Sequence, residues 1–208
     1  MIVQWCLKGL ALRDDAEADA IISGQEGLLA NWWRSVGEVT PAEIRQKLTD
    51  RNADRHVNHF SDVDPVTKAP FSAHSPFISL TAGTVERDSF THTNHVHRAL
   101  QVALWFGTDF GRRPTAYVYT CWTLVGPRRA VEVESVAEEV RDLNTYRRYS
   151  EYQTEGEILA KVIVPDNQVL KYERWDRDVA TGRFMRNGSK TNPRFTPPTK
   201  LSNVRELI

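Results

Sequence analysis

The chain has 208 residues, 40% of them hydrophobic, and its 27 basic residues equal its 27 acidic ones. This length and composition predict one domain with a core of ordinary size, and the zero net charge neither requires nor excludes a polyanionic partner. No apolar run approaches the roughly 20 residues that cross a bilayer, and the first residues lack a signal-peptide pattern, so a cytoplasmic protein is expected. Cys6 and Cys121 form neither a CxxC nor a zinc pattern, so two buried, reduced thiols are expected.

The first half of the chain predicts a strand, then helices, then a loop and a second strand. VQWCLKGLAL, from residue 3, has the β-branched and aromatic residues of a first strand. The stretch 14–36 predicts helix that two glycines interrupt, and Thr40 followed by proline predicts the capped start of a further helix. Residues 61–76 predict a loop because they carry three prolines, and PFISLTAG (76–83) predicts a short strand.

The second half predicts more strand than helix. NHVHRALQVALWFGTDFG (94–111) predicts an amphipathic helix, TAYVYTCWTLV (115–125) a buried strand and SVAEEVRDLNTY (135–146) a short helix. ILAKVIVP (158–165) and VLKYERW (169–175) predict strands, whereas the sequence beyond Asp178 has too much Gly, Pro and Asn for a regular element. Helices before strands, without regular alternation, predict an α+β fold on a mostly antiparallel sheet.

Glu155-Gly156-Glu157 places two carboxylates two positions apart at the start of a predicted strand. Side chains alternate along a strand, so Glu155 and Glu157 are predicted to share one face while Ile158 and Ala160 point into the core. Gly156 lets another group approach the backbone closely. Two such carboxylates repel each other, which raises the pKa of one of them in a cleft; the alternative is a pair of solvated charges at a strand edge.

Ser79 and Thr81 are also two positions apart, on the apolar strand that ends at Gly83. Their hydroxyls are therefore predicted to share a face. Two hydroxyls on one face position a sugar or lie solvated at a sheet edge. The presence of this second pair, Ser79 and Thr81, favours a functional role for Glu155 and Glu157 over solvated charges at a strand edge.

In this order the motifs resemble the ADP-ribosyltransferase superfamily, in its toxin-like branch with Arg, Ser-Thr-Ser and Glu-x-Glu motifs. Ser79-Leu80-Thr81 is similar to the strand that supports the NAD pocket, and residues 155–157 are similar to the later Glu-x-Glu. The resemblance covers about residues 1–175. It implies an ADP-ribosyltransferase-like α+β fold with a split, mostly antiparallel sheet and N-terminal helices.

The resemblance also implies domains and roles. Residues 1–178 would form the catalytic domain and 179–208 a basic C-terminal arm. NAD would be the substrate, and Glu157 would bind a ribose hydroxyl and stabilise the cation that forms when the nicotinamide bond breaks. Glu155 would orient or deprotonate the acceptor, and Ser79 would hold the nicotinamide ribose and the catalytic glutamate.

Other residues complete the site that the resemblance implies. Thr81 would support its strand, and Tyr149 or Tyr152, in the target-recognition loop ahead of the glutamates, would stack on nicotinamide or on the target. Lys8 stands where the family has its arginine, and lysine neutralises a phosphate without gripping it bidentately. Either Lys8 takes that role, or Arg13 or Arg55 does.

A metal-dependent hydrolase is the alternative enzyme class. All six histidines fall between residues 56 and 97, and five of them lie in the groups HVNH and HTNHVH, with spacings that a metal site can use. Against a metal, no Asp or Glu is interleaved in HTNHVH as a ligand or supporting partner. Solvated or helix-capping histidines are the simpler interpretation, so no metal is expected.

The stretch 171–200 suggests what the acceptor is. It has eight basic residues against three acidic ones, with four aromatic residues interleaved, a composition that follows a phosphate backbone and stacks bases. The basic residues are Lys171, Arg174, Arg177, Arg183, Arg186, Lys190, Arg194 and Lys200, and the aromatic ones are Tyr172, Trp175, Phe184 and Phe195. RNA or single-stranded DNA is therefore the expected acceptor, with a protein side chain as the alternative.

Other interpretations of the chain stay open. The basic stretch could pack on the domain or dock an acidic partner such as an antitoxin. The resemblance implies a bacterial toxin or phage-defence enzyme, and no membrane association is expected. A binding module that kept the fold and lost activity, or an interaction protein acting through its acidic N-terminal helices, are the non-catalytic alternatives.

Overall fold

The computed structural model describes residues 2–24, 26–36, 38–87, 90–91, 93–125, 136–139, 156–198 and 204–208. Its helices are α1 (Asp15–Ser23), α2 (Asn31–Ser35), α3 (Pro41–Lys47), α4 (Asp50–Asn58) and α5 (Ala99–Gly107), with short 3-10 helices at Phe71–His74 and Asp166–Gln168. Its strands are β1 (Ile2–Leu10), β2 (Leu28–Leu29), β3 (Phe77–Thr81), β4 (Thr84–Arg87), β5 (Asn94–His97), β6 (Thr115–Val125), β7 (Val136–Glu139), β8 (Glu157–Lys161), β9 (Ile163–Val164), β10 (Val169–Arg177), β11 (Phe184–Thr191) and β12 (Val204–Arg205). Within the described ranges, no helix is long and apolar enough to cross a membrane.

Eight strands form the main sheet, in the order β11-β10-β6-β7-β8-β3-β1-β12, and β6 also pairs with β1. The pairs β1–β12 and β6–β7 are parallel, and the other pairs of this sheet are antiparallel. The extra β1–β6 pairing closes a circuit through β1, β6, β7, β8 and β3. The predicted α+β fold with a mostly antiparallel sheet is confirmed.

The centre of the sheet is covered on both of its faces. Successive side chains of β6 point to opposite faces, and buried side chains occur on each face. On one face Tyr117 and Tyr119 reach α1, where their hydroxyls donate to the Asp15 carboxylate at 2.7 Å and the Ala18 carbonyl at 3.0 Å. On the other face Val118 packs in a cluster with residues of α5. Cys6 and Cys121, opposite each other in β1 and β6, are buried as predicted and are not joined by a disulfide.

The strand predictions for 115–125 and 169–175 are confirmed, as are the first strand, the strand at 76–83 and the capped helix after Thr40. The helix predicted over 94–111 is correct only from Ala99 to Gly107. Asn94–His97 instead forms β5, which pairs antiparallel with β4 and places Val96 opposite Val85. Val96 is 51% exposed, so its helical spacing from Leu100 was coincidental.

The helix predicted over 135–146 is wrong where the structure describes it. Residues 136–139 form β7, which pairs parallel with β6 and antiparallel with β8. A strand at residues 136–139 gives hydrogen-bond partners to backbone N–H and C=O groups of β6 and β8. Pairing between strands of this kind overrides the local helix propensity of the sequence.

The expectation of no regular element beyond Asp178 is also wrong. Phe184–Thr191 forms β11, which pairs antiparallel with β10 from Arg177 to Lys171. The two strands join through a turn in which Gly182 has a positive φ of 68°. Glycine at such a position therefore marks a hairpin here rather than an irregular segment.

Gly9 sets the distance between β1 and α5. A Cβ at this position would lie 1.8 Å from the Ala103 carbonyl oxygen, which is backbone and cannot rotate away. Gly9→Ala is therefore expected to lower the free energy of unfolding by about 2–3 kcal/mol, measured by urea denaturation.

Gly188→Ala is the matched control for that measurement. Gly188 lies in β11, and a Cβ there would meet the Arg174 Cβ at 3.8 Å, an ordinary contact. Its effect is expected to stay within about 0.5 kcal/mol of wild type. Equal unfolding midpoints for the two variants would show that β1 and α5 are not packed this closely.

Candidate active site

A cleft of about 170 Å³ opens where β1, β3, β8, α4 and α5 meet. Its polar wall comes from Lys8, His56, Ser79, Thr81 and Glu157. Its apolar wall comes from side chains of α4, α5 and the segments that follow them: Val57, Phe60, Val102, Ala103, Phe106 and Phe110. The arrangement suits a ligand that has both polar groups and flat apolar rings.

Glu157 begins β8 and lies directly opposite Thr81 of β3 in the antiparallel register. Ser79 is two positions along β3 from Thr81, so it lies on the same face as Glu157 and within reach across the diagonal. Only 9% of Glu157 is exposed. Burial raises the pKa of the Glu157 carboxyl, and a hydrogen bond from Ser79 and the nearby charge of Lys8 partly offset that rise.

His56 enters the cleft from α4. Ala53, His56 and Val57 are the buried residues of this helix, at the spacing that places three side chains on one helix face. The edge-on rings of Phe60 and Phe77 lie 4.9 and 5.9 Å from the imidazole. Burial, with a smaller contribution from the Lys8 charge, lowers the pKa of His56 to about 3, so the ring is neutral at pH 7.

The neutral ring links two serines to the glutamate. His56 Nδ1 lies 2.5 Å from Ser75 Oγ, and Nε2 lies 2.7 Å from Ser79 Oγ. Ser75 Oγ accepts from the Phe77 N–H at 3.2 Å, and Ser79 hydrogen-bonds the Glu157 carboxylate. Because a carboxylate only accepts, one direction satisfies the whole chain: Ser75 donates to Nδ1, Nε2–H donates to Ser79, and Ser79 donates to Glu157.

His56 Nε2 is also 3.9 Å from Glu157 Oε1. Since the imidazole is neutral at pH 7, this contact is not an ion pair. The effect of His56 on Glu157 passes through Ser79, whose hydroxyl it orients. His56 is thus a positioning residue for the glutamate, whereas the sequence pattern HVNH predicted a solvated or helix-capping histidine or, as the alternative, a metal ligand.

Of the three cations predicted for the family's arginine role, Lys8 is the one that lines the cleft. Arg13 is at the start of α1, where its side chain pairs with Glu17 and is 82% exposed. The Arg55 guanidinium lies 4.4 Å from the centre of the Phe71 ring. Lys8 is half-buried in β1, and its charge acts on both Glu157 and His56.

The structure places the whole Ser79-Leu80-Thr81 motif on β3. Ser79 and Thr81 line the cleft on one face, while Leu80 packs into the core cluster on the other. Thr81 Oγ1 accepts from the Gly83 N–H at 3.2 Å, which fixes the end of the strand. The two hydroxyls therefore share a face, as their spacing predicts.

Glu155, Tyr149 and Tyr152 lie outside the described residues, so their predicted roles are untested. Gly156 has a positive φ of 57°, and β8 begins one residue later. A Cβ on Gly156 would lie 2.1 Å from the Gly83 carbonyl oxygen, so the group that approaches this glycine is the backbone after β3. Gly156 therefore departs from the extended backbone of the strand that follows it.

The histidine pattern does not build a metal centre in the described ranges. His56 uses both ring nitrogens on serine hydroxyls, and His59 Nδ1 lies 3.1 Å from the Asp62 carboxylate at the surface. No three His, Cys, Asp or Glu side chains gather to hold a metal ion among the residues described. Within the described ranges, the histidines thus give no support to the hydrolase alternative.

Most described cations of the stretch 171–200 are paired with carboxylates. Lys171 and Arg186 pair with Glu173, while Lys190 pairs with Asp19 of α1. Arg174 and Arg194 also pair with carboxylates, the latter with Asp166. The excess of charge counted along the sequence is consequently neutralised, in large part, in three dimensions.

The aromatic residues of the same stretch have structural contacts. Tyr172 is buried and its hydroxyl donates to Asp19 at 2.6 Å, and the Phe195 ring lies 6.1 Å from the Trp5 ring. Trp175 and Phe184 pack against the cluster beneath α5. These four rings therefore do not form an exposed row for stacking bases.

The fold and the cleft together define an α+β protein with a buried glutamate–serine–histidine site. No protein-family model and no curated protein matches the chain. Among solved structures it is similar to EcPltA, with 12% identity over 98% of this chain and 93% of that one and a TM-score of 0.49. It is also similar to a point mutant of heat-labile enterotoxin, with 15% identity over 92% of this chain and 75% of that one and a TM-score of 0.45.

A further similarity is to the catalytic domain of the mosquitocidal toxin from Bacillus sphaericus. Here the identity is 12%, with 98% of this chain and 63% of that chain covered and a TM-score of 0.44. At identities and TM-scores this low, the likeness carries no conclusion about the activity of this chain.

Proposed function

We propose that the chain is a mono-ADP-ribosyltransferase that transfers ADP-ribose from NAD to a macromolecular acceptor. One observation carries this proposal: Lys8, Ser79 and Glu157, taken from three separate motifs of the sequence, line a single cleft. The cleft combines a cation, hydroxyls and apolar walls, which are the kinds of group that bind a phosphate, a ribose and a flat ring of NAD.

The chemistry requires a charge that stabilises a developing cation. Breaking the bond between nicotinamide and ribose leaves positive charge on the sugar, as in other glycosidic cleavages. A buried, poorly solvated carboxylate stabilises such a cation strongly when ionised. Glu157 is placed for this role, and the hydroxyl of Ser79, held by His56, keeps the carboxylate in position.

Lys8 and the residues outside the described ranges complete the proposal. Lys8 neutralises a phosphate as a point charge, which is weaker than the bidentate grip of arginine. Glu155 orients or deprotonates the acceptor, and Tyr149 or Tyr152 stacks on nicotinamide or the target. A toxin or defence role, a neutralising partner and a cytoplasmic location are proposals that come from the motif resemblance.

Nicotinamide release from NAD tests the activity directly. The purified chain is expected to release nicotinamide and to transfer label from adenylate-labelled NAD when RNA, single-stranded DNA or protein is supplied separately. The sequence favours nucleic acid as the acceptor. Label found only on protein would overturn the nucleic-acid acceptor, and no nicotinamide release under any condition would overturn the transferase.

A further inference from the structure

Two arginines, unlike most described cations of the stretch 171–200, are not paired with a described carboxylate. Arg113 and Arg177 form no ion pair with any described residue, whereas Lys171, Arg186 and Lys190 each pair with a carboxylate. The Arg113 guanidinium donates to the Ala11 carbonyl at 2.8 Å, and Arg177 Nε donates to the Gly182 carbonyl at 3.3 Å. A guanidinium has five N–H donors, so each keeps most of them for a ligand.

These arginines line a second cleft, of about 390 Å³, between the segment 111–114 and the β10–β11 turn. The two walls are joined by the Arg177 N–H, which donates to the Pro114 carbonyl at 2.7 Å. Arg112 also lines this cleft and lies 3.6 Å from the exposed carboxylate of Asp109.

Two carboxylates flank Arg177 in the sequence: Asp176, which pairs with Arg174, and Asp178 in the turn. Asp178 has partners within the turn. It accepts from the Thr181 N–H at 2.6 Å and from the Thr181 hydroxyl at 2.8 Å. Asp178 stays negatively charged but is not among the residues that line the second cleft. Of the residues that the structure describes, three arginines and no carboxylate line it, so positive charge dominates the lining.

Exposed aromatic rings connect this cleft to the candidate active site. Phe110 is part of the active-site wall and immediately precedes Gly111 of the second cleft. The Phe110 ring lies 6.0 Å from the Trp105 ring, and the two residues are 42% and 54% exposed. Because packing within the chain leaves the rings of Trp105 and Phe110 partly accessible, they can stack on a flat ligand.

We propose that this surface, formed by Trp105, Phe110, Arg112, Arg113 and Arg177, binds the acceptor and that the acceptor is a single-stranded nucleic acid. The proposal rests on the proposed function. Arginines beside exposed aromatic rings match alternating phosphates and bases, and a duplex would keep its bases covered. An acidic protein would also pair with the arginines, and it is the alternative that failure of both oligonucleotides to bind would favour.

Fluorescence anisotropy with a labelled single-stranded RNA of fifteen uridines, and with the matching DNA, tests the surface without NAD. On a single strand, the slope of log affinity against log salt decreases by about 0.7 for each phosphate that a cation no longer neutralises. The double variant Arg113→Gln/Arg177→Gln is therefore expected to show a slope smaller by about 1.4 and to bind more weakly at low salt. Trp105→Ala is expected to weaken binding about tenfold, the effect of one stacked base, with the slope unchanged.

Arg186→Gln is the matched control, because Arg186 is 59% exposed but paired with Glu173. It is expected to keep the wild-type slope. If the double variant and this control share one slope, or if neither oligonucleotide binds wild type at 50 mM salt, the surface does not bind nucleic acid. Nicotinamide release by wild type without acceptor is measured separately, so failure of the transferase and failure of this surface are distinguishable.

Discussion

Replacing Glu157 with glutamine is expected to lower NAD turnover by about 100- to 1000-fold, the usual cost of removing one preorganised electrostatic group. Glutamine keeps the size of the side chain and an oxygen that accepts from Ser79, but it carries no charge to stabilise the sugar cation. The measurement is nicotinamide release at saturating NAD. Glu38→Gln, the same substitution at an exposed position, is the control and is expected to retain wild-type turnover.

A measurement of stability distinguishes loss of the Glu157 charge from misfolding of the variant. Burial raises the pKa of Glu157, so the folded state binds the proton more tightly than the unfolded state does. That contribution favours folding below the unfolded pKa and is lost as the pH rises through the folded pKa, so the buried carboxyl adds less to stability at neutral pH than in acid. Glu157→Gln is therefore expected to unfold at the same urea concentration as wild type or a higher one. Turnover that survives the substitution unchanged would refute the mechanism.

His56→Ala is expected to lower the free energy of unfolding by about 3–5 kcal/mol at pH 7.5. The substitution opens a cavity and deprives the hydroxyls of Ser75 and Ser79 of their ring partner, and each effect is costly in a buried site. Turnover is expected to fall as well, because Ser79 no longer holds the Glu157 carboxylate in one position. Urea denaturation and nicotinamide release measure the two effects.

The cost of His56→Ala is expected to depend on pH with a defined sign. Burial lowers the pKa of His56 from 6.5 to about 3. Between these two pH values the imidazole is protonated in the unfolded chain but neutral in the folded chain. Stability from this group is present above pH 6.5 and is lost as the pH falls towards 3. At pH 5 about 2 kcal/mol is gone, so the difference between wild type and His56→Ala should shrink by that amount.

His74→Gln supplies the control for that pH series, because His74 is exposed. Its difference from wild type is expected to stay constant between pH 7.5 and pH 5. A wild-type advantage over His56→Ala that does not change with pH would show that the ring is not buried as a neutral group.

The fold could be predicted where local patterns and tertiary pairing agree. β6 is rich in β-branched and aromatic residues and lies in the middle of the sheet, so both influences favour a strand. Prediction failed where partners distant in sequence decided the conformation. Residues 136–139 become a strand because β6 and β8 offer pairing edges. The error at 184–191 has a local cause, because the Gly, Pro and Asn content of the sequence beyond Asp178 hid a hairpin with the preceding strand β10.

The residues of the candidate site also fall into two groups, those that local patterns predict and those that only packing brings together. Ser79 and Glu157 could be selected from their motifs, and the structure brings them to one cleft. His56 could not be selected for this role, because its serine partners are 19 and 23 positions away and only packing of α4 on β3 joins them. The count of charges over residues 171–200 misled for the same reason. Three of the carboxylates that pair with its cations, Asp15, Asp19 and Asp166, lie outside the stretch and meet it only in three dimensions.

By itself the sequence determined the α+β class, the strand carrying Ser79 and Thr81, and the glutamate that begins β8. Periodicity and β propensity act between near neighbours, so they can be read in one dimension. The tertiary structure alone decided that Lys8 rather than Arg13 or Arg55 reaches the cleft, that His56 is neutral, and that Arg113 and Arg177 lie outside ion pairs with the described residues. Burial and charge pairing depend on distances in space, and those are fixed only when the sheet and helices pack.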